Sequence, residues 1–226
     1  MNTLAGLLAE PSAVVEGPLR VGAHAHPRIV RLPDGIRREQ IQALIHQLFL
    51  CSDRRIRNVG FAAVETSTDT AQLCLDVATV LAGIGSHDVG LIDGRLQSSA
   101  LHTELGIEGV RGNTTQGIAE RLWLAPRSMW LENIPEQSIW DPSLSRLRAA
   151  TMDFDYSVVS FDPLSWLTIR ISQVCDGLVL VLTANRTRRL VAAQVQEQLR
   201  RARVPVLGVV LADRQFPVPE ALYRSL

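Results

Sequence analysis

Not one lysine occurs among the 226 residues, and all 23 basic side chains, from Arg20 to Arg224, are arginines. A phosphate-binding loop that depends on a lysine is thereby excluded. An excess of charge is also missing: 23 acidic residues balance the arginines to a formal net charge of zero. Binding to nucleic acid or to an anionic membrane by overall charge is therefore not expected. No stretch approaches the roughly 18 consecutive apolar residues of a membrane span, so no direct membrane insertion is predicted. The stretch Met1 to Leu8 lacks the positive region of a signal peptide, and a cytoplasmic protein is the expectation. Cys51, Cys74 and Cys175 are odd in number, widely spaced and without metal-ligand pairing, which predicts reduced thiols.

What is present is enough apolar sequence, 46% of the chain, to bury one sizeable core. Residues 1–34 carry Pro11, Pro18, Pro27 and Pro33 among glycines and read as an extended or partly disordered arm, leaving 35–226 as one domain. His24 and His26 form a His-x-His pair, but no carboxylate or cysteine completes a metal set, and a plain loop is the better reading.

Hydrophobic periodicity then sets out alternating strands and helices. Arg57 to Val64 reads as a buried strand, Glu65 to Asp69 as a polar loop, and Thr70 to Ile84 as a helix with Leu73, Val77, Val80, Leu81 and Ile84 on one face. Before them, Arg37 to Cys51 predicts an amphipathic helix with Ile41, Leu44, Ile45 and Leu48 on one side. After them come a strand at His87 to Asp93, a short helix at Leu101 to Gly106, and a loop from Gly112 to Trp123 feeding another helix. Arg127 to Glu132 is expected to be a third strand and Pro142 to Thr151 a helix. The series ends with strands at Phe154 to Phe161 and Gly177 to Thr183, helices at Ser165 to Val174 and Thr187 to Ala202, and a central strand at Val204 to Leu211. This alternation predicts an α/β fold: a parallel, doubly wound sheet flanked by helices in three layers.

The strand, loop and helix from Arg57 to Ile84 have the frame of a P-loop without its chemistry, since Val64 to Ala71 contains neither glycine nor lysine. The order of motifs from about Glu39 to Leu226 nevertheless resembles the cytoplasmic kinase domain of bacterial tyrosine autokinases of capsular and exopolysaccharide biosynthesis. Those kinases are a branch of the deviant-Walker P-loop ATPases that include MinD and ParA. The resemblance rests on Gly90-Leu-Ile-Asp-Gly-Arg-Leu96, on Leu101-His-x-x-Leu-Gly106, and on Phe154-Asp-Tyr with its apolar strand and Pro163. Cys175-Asp-Gly-Leu-Val-Leu-Val181 and Val204-Pro-Val-Leu-Gly-Val-Val-Leu211 extend it.

Carried over residue by residue, the resemblance implies a degenerate nucleotide site with no catalytic residue and no metal ligand. The Gly-Lys-Ser/Thr of the family lands on Asp69, Thr70 and Ala71, behind Thr66, and the acids Glu65 and Asp69 would repel a triphosphate from the helix start. Asp93 keeps its acid, but the second aspartate of that motif is Arg95. The Walker B acid falls on Ser160, with Asp162 two residues late, and the adenine-side asparagine on Ala212. Binding of ATP and magnesium is accordingly predicted to be weak or absent. Tyr156 and Tyr223 are the only tyrosines, so the tyrosine-rich tail of such kinases has no counterpart here. The family's oligomerisation motif aligns with Glu39, Gln42 and Ile45 and loses both arginines, which implies altered or lost ring assembly; a homo-oligomer stays open.

The resemblance thus implies an inactive pseudokinase or pseudo-ATPase: a cytoplasmic regulatory protein of exopolysaccharide biosynthesis or export, recruited to the inner face of the inner membrane. Its implied partner is a membrane-bound polysaccharide co-polymerase or an active ATPase or kinase paralogue. Alternatives are an atypical active kinase or ATPase using Asp93, Arg95 and Asp162, and a MinD/ParA-like pseudo-ATPase of positioning or secretion. Glu39, Gln42, Ile45 and Trp130 are candidate contact residues, and Trp123, Trp140 and Trp166 are either docking aromatics or core anchors.

Overall fold

The computed structural model describes residues 20–21, 35–51, 55–68, 70–108, 110, 112–131 and 140–212. His24, His26, Asp69, Tyr223 and most of the 1–34 arm lie outside this set. In chain order the elements are β1 (Arg20–Val21), α1 (Gly35–Ile45), β2 (Asn58–Ala63), α2 (Ala71–Ile84), β3 (Val89–Asp93), α3 (Leu101–Glu104), β4 (Thr115–Ala119), β5 (Leu122–Ala125), α4 (Trp140–Met152), β6 (Tyr156–Ser160), α5 (Trp166–Ser172), β7 (Gly177–Thr183), α6 (Arg189–Arg201) and β8 (Val206–Ala212). The strands form one sheet in the order β1-β4-β5-β3-β6-β2-β7-β8, and every described pairing except β4 with β5 is parallel.

Successive residues of the central strands enter opposite cores, as the period of two requires. Leu91, Val158 and Val179 join one apolar cluster with α1 and α2. Their neighbours Ile92, Val159, Leu178 and Leu180 join a second with Trp130, Leu147, Ile171 and Leu199. The predicted doubly wound α/β architecture in three layers is therefore what the chain adopts. A strand buried on both faces tolerates a bare backbone where a ring must approach: a Cβ on Gly90 would fall 2.3 Å from the Phe154 ring.

Four expectations are corrected. Gly112 to Trp123 leads into no helix but into the β4–β5 hairpin, whose turn holds Arg121 at φ 55°. The Arg121 guanidinium donates to the Gly85 carbonyl at 2.8 Å, which helps offset that backbone strain. Arg127 to Glu132 supplies a 3-10 turn over Arg127–Met129 in place of a strand, directed by the bonds from Met129 N to Pro126 O and from Trp130 N to Arg127 O. Val206–Ala212 lies at the sheet edge, beyond β7, and leaves Val209 and Leu211 54% exposed where a central strand would bury them. The helix expected from Arg37 to Cys51 is α-helical only to Ile45 and continues as a π-helical turn over His46–Leu50, which keeps Leu48 and Phe49 buried.

α2 departs from a one-sided stripe. It is buried on most of its surface, Asp76 included, while Leu73 is half-buried and Ile84 is 48% exposed. The reason is that α1 covers the flank that faces away from the sheet, and Arg37 of α1 reaches the Asp76 carboxylate at 2.5 Å beside the Gln72 amide at 2.8 Å. Removing the half-exposed arginine strands a carboxylate in the interior. Arg37→Ala should cost about 1–2 kcal/mol in urea unfolding, and Arg37→Ala with Asp76→Asn should recover part of it. A single variant as stable as the parent would mean that the pair does not join α1 to α2.

Candidate functional site

Parallel α/β sheets present ligand-binding groups at the carboxyl ends of their strands, and here the sequence-predicted positions converge on the ends of β2, β3 and β6. The loop after β2 is a tight turn, with Thr68 N donating to Glu65 O at 3.3 Å and the Thr68 hydroxyl bonded to that of Thr183. Thr66 is exposed; Thr70 and Ala71 are buried. Thr70 sits at the N-cap of α2 without capping it, its hydroxyl directed instead to the Phe161 carbonyl at 3.4 Å. The loop is closed by its own hydroxyls, where a phosphate loop would leave its amides facing a ligand.

Asp93 ends β3 fully buried. One carboxylate oxygen accepts from Arg95 N at 3.2 Å and Arg95 Nε at 3.3 Å, and the other from Leu101 N at 2.8 Å, at the start of α3. Arg95 is 3% exposed and also pairs with Glu104 through Nη1. Asp162, just past β6, holds the same loop from beneath. Its Oδ2 accepts from Leu96 N at 2.6 Å and Gln97 N at 2.8 Å, and its Oδ1 from Ser98 N at 3.0 Å and the Ser98 hydroxyl at 2.5 Å. Three successive amides make a nest for an anion, and the protein fills it with its own carboxylate. Burial by itself raises the Asp162 pKa, but the Ser98 hydroxyl and the Gln97, Leu96 and Ser98 amides outweigh it and hold the group below its ordinary value. On the other side Arg127 Nη1 donates to the carbonyls of Arg95, Leu96 and Ser98 at 3.0–3.3 Å.

Loop 94–100 is thus held through its amides and its carbonyls at once. The structure brings Asp93, Arg95 and Asp162 together around this loop. Ser160 is buried beside Asp93 in the β3–β6 register, its hydroxyl without a described partner. Arg127, Glu104 and Ser98 join the site without a sequence signal, since none of them stands at a helical or strand pairing distance from Arg95 or Asp162. A magnesium ion needs carboxylate, hydroxyl or phosphate oxygens free to face it. Ala71 offers none, and the oxygens of Asp93 and Asp162 already accept from protein N–H and O–H groups, so these residues do not fit that ion. Among the described residues no group of three His, Cys, Asp or Glu side chains is placed to hold a metal.

Two contact candidates are also corrected. Trp130 is 1% exposed and its indole N–H donates to the Asp93 carbonyl at 2.7 Å, so it is part of the core. Ile45, the last residue of α1, is fully buried in the core cluster that α1 shares with α2 and the sheet; Glu39 and Gln42 remain exposed. Trp123 is half-buried, and Trp166 is 73% exposed.

Between the 65–68 turn and loop 94–100 lies a cavity of about 370 Å³. Its lining carries hydroxyls from Thr66, Ser67, Thr68 and Thr70 on one side and from Ser98 and Ser99 on the other. Arg95 and Glu104 complete its polar wall, and Pro163 lends an apolar edge.

No protein-family model and no curated protein sequence matches the chain. Solved structures do. The chimerical protein CapA2B2 superposes with a TM-score of 0.66 at 14% identity, over 81% of this chain and 87% of its own. The VpsO kinase domain gives 0.63 at 16%, over 79% of this chain and 97% of its own. A ParA family ATPase from Chlorobium tepidum gives 0.53 at 16%, over 69% and 73%. The fold is that of bacterial tyrosine-kinase domains and ParA-type P-loop ATPases. No described helix is long and apolar enough to cross a membrane.

Proposed function

We propose that this chain is a P-loop-fold domain that has given up nucleotide chemistry and acts as a regulatory accessory protein of exopolysaccharide biosynthesis or export. It works at the cytoplasmic face of the membrane by docking on a polysaccharide co-polymerase or an active kinase paralogue. The observation that carries the loss of chemistry is the engagement of Asp93 and Asp162, whose carboxylate oxygens all accept from N–H and O–H groups of the segment 95–101. The loop before α2 adds no lysine and no glycine. Each lost charge-assisted contact costs about 1.5–3 kcal/mol, and about 1.4 kcal/mol is tenfold in affinity. Losing the lysine, the metal hydroxyl and two acids therefore removes several orders of magnitude. The pathway reading is supported by the motif order of the sequence.

Calorimetry with magnesium-ATP is expected to show no saturable heat, and phosphate release no turnover above buffer. Tight binding together with turnover that follows the protein through purification would overturn the reading. Affinity capture from the native host separates the pathways: a polysaccharide co-polymerase or kinase supports this one, and a positioning or secretion machine alone would replace it.

A further inference from the structure

The described sheet ends on two unlike strands: β1 is two residues long, whereas β8 runs for seven. An edge strand offers a row of backbone N–H and C=O groups to any other strand, and proteins blunt it with charges, proline or bulges. β8 has such devices only at its beginning. Pro205 precedes it, and a bulge at Leu207 separates the Leu178–Val206 pair from the Val179–Gly208 pair. From Gly208 to Ala212 there is neither proline nor charge. The Ala212 carbonyl accepts from Ala184 N at 2.9 Å, and alternate residues of a strand turn their N–H and C=O to opposite sides. Val210 and Ala212 therefore bond towards β7, and Val209 and Leu211 turn their backbone groups to the open edge. The same two residues have side chains 54% exposed. In register with Leu180 and Leu182, they lie on the face of the sheet that α6 covers. α6 adds the exposed Leu190 and Val191 on that face.

We propose that this edge is the contact of a homodimer, in which β8 of a second copy pairs antiparallel with β8 about a two-fold axis at Val210. Val209 then stands opposite Leu211 of the second copy, and Leu211 opposite its Val209, as hydrogen-bonded pairs that use the outward N–H and C=O groups. An axis normal to the sheet keeps both α6 helices on one side, so the exposed Val209 and Leu211 side chains of the two copies meet there as apolar cross-strand pairs. Charge selects a second copy over a foreign strand. The segment 208–212 offers no ionisable group for an oppositely charged partner to read, and against its own reverse it sets apolar side chain on apolar side chain. The same patch on both subunits is what a two-fold interface requires, and a formal net charge of zero leaves no long-range repulsion between copies. An edge this short makes a small contact, so the dimer is weak and reversible. The inference does not depend on whether the chain binds nucleotide.

The test is sedimentation velocity of the full chain, without nucleotide, over about 1–200 µM, where weak reversible interfaces populate both states. A monomer–dimer equilibrium is expected. Val209→Lys sets a charge on the edge, and Val209→Pro removes the outward N–H while staying apolar. Each should weaken the dimer at least about tenfold, and Val209→Lys should do so at unchanged thermal unfolding of the dilute chain. Met152→Lys charges another exposed apolar side chain, on α4, and should leave the dimer intact. In a Cys51→Ser background Val210→Cys should cross-link to its counterpart under mild oxidation, since a non-hydrogen-bonded pair about 4.5 Å apart at Cα suits a disulfide. A chain monomeric throughout overturns the inference, as does a dimer indifferent to both edge variants or dissociated equally by Met152→Lys. A dimer in which Val210→Cys gives no cross-link overturns the two-fold pairing.

Discussion

Asp162→Ala should lower the unfolding free energy by about 3–4 kcal/mol and release loop 94–100. The side chain is 4% exposed and accepts from three consecutive amides and a hydroxyl. Hydrogen bonds to a charged acceptor contribute about 1.5–3 kcal/mol each, and amides left unpaired in a buried loop add a desolvation cost. Solvent entering the vacated space re-satisfies part of the nest, which is why the sum is not reached. Asp162→Asn should fall between, because one carboxamide oxygen can still accept while the NH₂ faces donors. Urea unfolding gives the free energies, and hydrogen exchange at Leu96, Gln97 and Ser98 should accelerate in step. A loss under about 1 kcal/mol, small against the typical span of point substitutions, would show that the carboxylate does not hold the loop. The pH dependence has a definite sign. The folded pKa of Asp162 lies below the ordinary 3.8, so its contribution is complete above that value and fades as the pH falls through the depressed folded pKa. Acid unfolding of the parent should steepen below about pH 4, and Asp162→Asn should lack that component.

Trp130→Ala should cost a comparable amount, about 3–5 kcal/mol, the range for deleting a buried large aromatic side chain. Trp130 fills the second core cluster with Ile92, Leu147 and Ile171, and its indole N–H is the partner of the Asp93 carbonyl. Trp130→Phe keeps most of the volume and loses the N–H, so about 1 kcal/mol is expected from that change. Thermal or urea unfolding of the two variants checks the ratio. If Trp130→Ala were as stable as the parent but failed to capture a partner bound by the parent, the residue would belong to a contact surface after all.

The parts of the fold legible in the sequence were those where a local pattern is tied to a single outcome. The short apolar stretches within 57–64, 87–93 and 177–183, too short for helices and bounded by polar or turn residues, read as strands buried on both faces, and each range holds one. The β4–β5 hairpin escaped because Glu120 and Arg121 form its turn without the glycine or asparagine that usually announces one. The position of β8 escaped for a different reason: an apolar parallel strand reads alike at the centre and at the edge, and only the sheet order distinguishes them. In the site, the departures at Thr70, Ala71, Arg95 and Ser160 were plain. What the surviving acids do instead was not, since Asp162 meets amides 64 to 66 residues earlier in the chain and a backbone donor leaves no mark on composition. The periodicity of the first helix already set Ile45 on its apolar side, apart from Glu39 and Gln42, and only the resemblance grouped the three as contact residues.

Loop 94–100, gripped through both its N–H and C=O groups, has little reason to populate a second arrangement. A ligand can shift an equilibrium only between states that bind it differently. On the proposed reading, a partner that meets this face finds one unvarying shape, with no clock set by hydrolysis. Control of whatever it docks on would then come from how much of the protein the cell makes and where it gathers.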